Sequence, residues 1–182
     1  MEDEIRGEIM KRLTQRCSDA LKGIFEREGW FMEEIEYPHL FRLIRRHGGD
    51  EVADCVEEVV INVRGKTRAS FWMKGKREEF GIPLREVIEY DQWSNDIKLP
   101  LYFFILEDSM NMISYIYSED AFSKGRIWEK DDVDVGGSLF VPKRSMIPYA
   151  ELDVEGKGVT RYINRFSPKR KVVMNHEGIS VR

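Results

Sequence analysis

Six apolar residues in a row, Leu101-Tyr102-Phe103-Phe104-Ile105-Leu106, constrain this chain more than any other stretch. A strand that faces water alternates polar and apolar residues, and this one does not. Such a run is the signature of a central strand covered on both faces. It is far too short to span a bilayer. Met112-Ile113-Ser114-Tyr115-Ile116-Tyr117 follows and alternates better, which predicts a neighbouring strand.

A doubly covered strand needs apolar helices or a second sheet around it. Residues 3–28 supply one. Ile5, Ile9, Leu13, Cys17, Leu21 and Phe25 recur every fourth position, and Gly29 stands where a helix C-cap belongs. Residues 30–37 predict a strand stopped by Pro38. His39 to His47 places Leu40, Leu43 and Ile44 at helical spacing and predicts a short helix with Arg42, Arg45 and Arg46 on its exposed face. Residues 52–63 and 67–75 predict a hairpin turning at Arg64-Gly65-Lys66. Gly81-Ile82-Pro83 then opens a helix over Leu84–Trp93, with proline near its first turn. Arg126-Ile127-Trp128 and Leu139-Phe140-Val141 predict short strands.

Helices and strands interleaved around a buried strand predict a three-layer α/β/α core with a central mixed sheet. The core spans residues 1–118. Residues 119–182 form a small β-rich C-terminal extension on the same domain, with a basic tail from about residue 167. A chain of 182 residues is long enough for one such core.

Composition narrows function. The net charge of −4 excludes a broadly basic nucleic-acid binder, so any such contact needs a local patch. Cys17 and Cys55 match no metal or redox spacing and read as buried thiols, which fits a reducing cytoplasm. The N-terminus lacks the basic and apolar regions of a signal peptide. Asp132-Val133-Asp134-Val135-Gly136 begins like a calcium loop, but Lys143 stands where the closing glutamate belongs. Gly156-Lys157-Gly158 lacks the rest of a phosphate loop. His39, His47 and His176 stand at no zinc spacing.

One constellation remains. An acid, Asp54, begins the predicted strand after Ala53. A lysine, Lys74, lies on the predicted returning strand after Trp72-Met73. Gly75-Lys76-Arg77, then Ile82-Pro83-Leu84 with Glu86-Val87-Ile88, then Leu99-Pro100-Leu101 and the apolar run follow. In this order residues 15–107 resemble the restriction-endonuclease-like superfamily, the PD-(D/E)xK nucleases, with a layout similar to archaeal Holliday-junction resolvases. In that family a helix carrying an acid precedes a strand bearing Asp. A hairpin then brings Glu or Asp and, two residues on, Lys. A helix and a buried strand follow. Ala53-Asp54 stands in the place of Pro-Asp and Trp72-Met73-Lys74 in the place of Glu-x-Lys.

The resemblance implies a Mg²⁺-dependent DNA endonuclease. Asp54 would anchor the metal and Lys74 would stabilise negative charge at the scissile phosphate. Trp72 cannot ligate Mg²⁺, so a second acid must come from Asp19 on the first helix, from Glu58 on the Asp54 face, or from Glu86 or Glu89 on the following helix. Lys76, Arg77 and the tail residues Lys169, Arg170 and Lys171 are the expected DNA contacts. The expected protein is cytoplasmic and off the membrane, with a homodimer left open. Two other readings stay open: a catalytically inactive nuclease-like module that binds nucleic acid or a protein, and an unrelated α/β binding module with its site in residues 119–166.

Overall fold

The computed structural model describes residues 2–35, 37–47, 55–66, 70–72, 77–128, 136–153, 158–168, 172–175 and 178–181. Its centre is the apolar run. Strand β6 (Leu101–Glu107) is buried along its whole length and is the fourth of seven strands in a mixed sheet. Side chains alternate across it. Tyr102, Phe104 and Leu106 enter one core, while Leu101, Phe103 and Ile105 enter another on the opposite face. That division is why no polar residue interrupts the run.

The seven strands lie in the order β1-β2-β3-β6-β7-β10-β11. They are β1 (Phe31–Glu34), β2 (Leu40–His47), β3 (Cys55–Lys66), β6, β7 (Met112–Tyr117), β10 (Ile147–Leu152) and β11 (Val159–Tyr162). Strand β3 runs parallel to β6, and every other pairing in the sheet is antiparallel. Helix α1 (Glu2–Arg27) covers one face. Its Cys17, Leu21, Ile24 and Phe25 meet Phe104, Tyr115, Tyr149 and Phe166 in an aromatic-rich core. Gly29 ends the helix with φ 85°, a left-handed conformation that glycine adopts freely. Cys17 is a free buried thiol, as expected, and burial pushes its pKa up.

The other face is covered by α2 (Leu84–Asp96), α3 (Ser118–Lys124) and a four-stranded sheet. That second sheet has the order β4-β5-β9-β8, from Ser70–Trp72, Arg77–Pro83, Ser138–Pro142 and Arg126–Trp128. Arg126 on β8 donates to the buried carboxylate of Glu79 on β5 at 2.8 Å. A separate hairpin joins β12 (Val172–Asn175) to β13 (Gly178–Val181). Among the described residues no helix is long and apolar enough to cross a membrane.

Three sequence expectations change. The expected helix at His39–His47 is strand β2, paired with β3 from Leu40↔Asn62 to His47↔Cys55. Leu40, Leu43 and Ile44 fit a helical face, but Phe41 and Leu43 also alternate inward on a strand, and sheet pairing prevails. The arginines join the same sheet. Arg45 pairs with Glu57 directly opposite it at 2.9 Å, and Arg42 pairs with Glu58. The expected turn at Arg64-Gly65-Lys66 is instead the end of β3, aligned with Ile105, Leu106 and Glu107 of β6. Finally, the expected hairpin of 52–63 with 67–75 does not form among the described residues: β3 pairs with β2 and β6, and β4 pairs with β5 in the second sheet.

Candidate functional site

Gly65 explains why β3 continues past the expected turn. A methyl group on its Cα would lie 2.3 Å from Leu13 Cβ and 2.6 Å from the Thr14 backbone nitrogen. The glycine is needed for the close approach of α1. Its N–H donates to Thr14 Oγ1 at 3.0 Å, which satisfies a backbone donor that β2 no longer reaches. Pairing of β2 with β3 stops at Leu40↔Asn62, so among the described residues β6 is the only strand laddered to residues 63–66.

The strand before this gap starts with a tight turn. Leu40 N–H donates to the Tyr37 carbonyl at 3.2 Å, and His39 sits at φ 61° behind Pro38. That is the arrangement of a turn with proline second and a left-handed residue third. The His39 carbonyl accepts from Val63 N–H at 2.9 Å and from Asn62 Nδ2 at 3.2 Å. The turn therefore locks onto β3 where β2 ends.

A cavity of about 230 Å³ opens at this corner. Met10 and Thr14 line it from α1, Pro38 and His39 from the turn, residues 62–66 from β3, and Glu86 and Tyr90 from α2. Asn62, Arg64 and Lys66 share one face of β3 because side chains alternate with period two. Arg64 is held twice. Its Nε donates to Asn62 Oδ1 at 2.8 Å, and its Nη2 pairs with Glu86. Its Nη1 and the Lys66 ammonium make no hydrogen bond among the described residues. Burial first, and then repulsion by Arg64, bring the Lys66 pKa down to about 8 against the opposing attraction of Glu86. Burial pushes the Tyr90 hydroxyl up, with Glu86 adding to it. The corner thus combines two cations carrying unassigned donors with one committed carboxylate.

Of the candidate site residues singled out in the sequence, Glu86 alone among the described residues lines this cavity. Glu58 lies elsewhere on β3 and is bound by Arg42. Asp19 accepts from Gln15 at 2.8 Å on the exposed side of α1 and lines a separate depression with Arg27 and Gly158. Glu89 is exposed on α2. Asp54, Lys74, Lys76, Lys169, Arg170 and Lys171 lie outside the described residues, while Arg77 and Trp72 contribute paired backbone to β5 and β4. His39, Asn62, Arg64, Lys66 and Tyr90 were missed. The signal that could have found them is Pro38-His39 at the head of one strand and Asn62-Val63-Arg64 on the next.

No protein-family model, curated protein or solved structure matches this chain.

Proposed function

We propose that this chain is a restriction-endonuclease-like module of three layers that binds nucleic acid without cleaving it, gripping a backbone phosphate with Arg64 and Lys66. The observation that carries the reading is the pair of cations with unassigned donors in one cavity at the end of β3. Guanidinium and ammonium groups in a partly enclosed site suit phosphate oxygens, and arginine does so in a fixed fork.

The order of elements supports the nuclease-like part. The resemblance calls for a helix, a strand, a hairpin partner, a helix and a buried strand. Helix α1, the antiparallel β2–β3 pair, α2 and β6 follow that order. In this register Pro38-His39 takes the place of Pro-Asp, and Asn62-Val63-Arg64 takes the place of Glu-x-Lys. The hairpin lies one strand earlier than residues 52–75. Both acid positions then hold neutral or basic side chains.

Mg²⁺ prefers carboxylate oxygens and its own waters. The cavity offers one carboxylate, Glu86, already paired with Arg64, beside a second cation at Lys66. These residues do not fit the ion. What they can do is hold a phosphate by charge, with Asn62 and Glu86 fixing the guanidinium.

The test is binding of labelled single- and double-stranded DNA and RNA at several salt concentrations, with Mg²⁺ or with EDTA. The expected result is salt-dependent binding, equal under both conditions, with the substrate intact and binding weakened in Arg64→Ala. Absence of binding to all four probes refutes the reading. Mg²⁺-dependent cleavage lost in Lys74→Ala would place an active metal site at Asp54 and Lys74 instead.

A further inference from the structure

A phosphate contact requires only a fixed cation. Lys66 is an odd choice for one. It lines the cavity without a hydrogen bond or ion pair among the described residues, and its neighbour on the same strand face is the Arg64 guanidinium. The groups around it come from every packed element. Arg64 lies on β3, Glu86 and Tyr90 on α2, and His39 on the turn, while α1 contributes only Met10 and Thr14. Glu107, its ladder partner on β6, is engaged by Lys143 at 2.8 Å. Among the described residues, the two carboxylates nearest Lys66 are therefore both committed to other cations.

With a pKa of about 8, roughly one Lys66 in ten is a neutral amine at pH 7, against about one in three thousand for an ordinary lysine. A desolvated lysine beside a second cation is the usual setting of an imine-forming amine.

We infer that Lys66 is a nucleophile that captures an aldehyde carried on a phosphate ester, with Arg64 holding the phosphate. This rests on the phosphate-binding reading above. The amine lone pair attacks the carbonyl carbon, and the carbonyl oxygen takes up a proton. The nitrogen then loses a proton to water, the hydroxyl takes a second proton from water and leaves as water while the nitrogen lone pair forms the C=N bond, and the iminium gives up its remaining N–H proton to water. One amine and one aldehyde give one imine and one water, with no change of oxidation state. Two sources share this chemistry: a free phosphorylated aldehyde, and an abasic nucleotide within a nucleic acid.

The test uses the whole chain with pyridoxal 5′-phosphate, borohydride reduction and peptide mapping by mass spectrometry. Lys66 is expected to carry the first adduct, at least tenfold ahead of any other lysine and of labelling by pyridoxal without the phosphate, and Lys66→Arg should lose it. A second arm reduces the chain with an oligonucleotide containing one abasic site. Trapping there assigns the aldehyde to nucleic acid; trapping of pyridoxal phosphate alone assigns it to a small phosphate ester. Labelling spread evenly over the lysines, or a Lys66 left unmodified, overturns the inference. If intact oligonucleotides bind but no adduct forms, this inference fails and the proposed function stands. If the adduct forms and no oligonucleotide binds, the nucleic-acid reading fails.

Discussion

Gly65→Ala tests the corner on which the site depends. Carbon atoms pack at about 3.5–4.0 Å, and the added methyl would lie 2.3 Å from Leu13 Cβ. Helix α1 must retreat by more than about 1 Å at this point. The neighbours include the backbone of Leu13 and Thr14, so no rotamer change relieves the clash. Overpacking of this kind costs about 1–3 kcal/mol. Retreat also breaks the bond from Gly65 N–H to Thr14 Oγ1, which leaves a buried donor unpaired at a cost of about 1–3 kcal/mol more. A loss of about 3 kcal/mol lowers the melting temperature of a chain this size by roughly 6–12 °C. Calorimetry or circular-dichroism melting reads it. Gly23→Ala is the control, because nothing lies within 4 Å of the methyl it would add to the middle of α1. It should gain about 0.5–1 kcal/mol. If Gly65→Ala melts within about 2 °C of the parent, β3 does not run beneath α1 and residues 64–66 turn as the sequence alone suggests.

Phe103 is fully buried in the core on the α2 face, so Phe103→Ala should cost about 3–5 kcal/mol in urea unfolding. Lys66 gives a pH signature. Its folded pKa is lowered, so between about 8 and 10.5 the unfolded chain binds more protons and stability rises with pH. Lys66→Met should remove that rise and be more stable by about 1–3 kcal/mol at pH 7, measured by parallel denaturant titrations at pH 7 and pH 10. An unchanged difference between the two proteins across that window would show that Lys66 is solvated. Glu79 is buried and accepts two hydrogen bonds from Arg126, so Glu79→Ala should cost about 1.5–3 kcal/mol by removing charged hydrogen bonds; a melting temperature equal to the parent's would contradict the pairing.

The parts of the fold legible in the sequence are those where one residue pattern has one structural outcome. An unbroken apolar run of six has no solution except burial on both faces, and β6 is that strand. The four-residue repeat of residues 3–28 is long enough to fix a helix. Patterns with two outcomes misled. Leu40, Leu43 and Ile44 suit a helix, yet Phe41 and Leu43 alternate equally well on a strand, and the sheet supplies the partners. Gly65 between two basic residues resembles a turn, whereas its missing side chain serves contact with Leu13 some fifty positions away. The site was hidden for the same reason. His39, Asn62, Lys66 and Glu86 come together only because β2 ends at Leu40 while β3 continues, and that offset is a property of strand pairing. Glu86 was legible as a site residue, although the structure gives it Arg64 for a partner.

The proposed function puts a phosphate of nucleic acid at Arg64 and Lys66. The most direct measurement is a nitrogen–proton NMR titration with a short oligonucleotide, followed at the backbone amides and the lysine ammonium signals. His39, Asn62, Gly65, Lys66 and Glu86 are expected to shift together along one saturable curve that disappears in Arg64→Ala. Shifts confined to other residues, with these five unmoved at saturation, would contradict it.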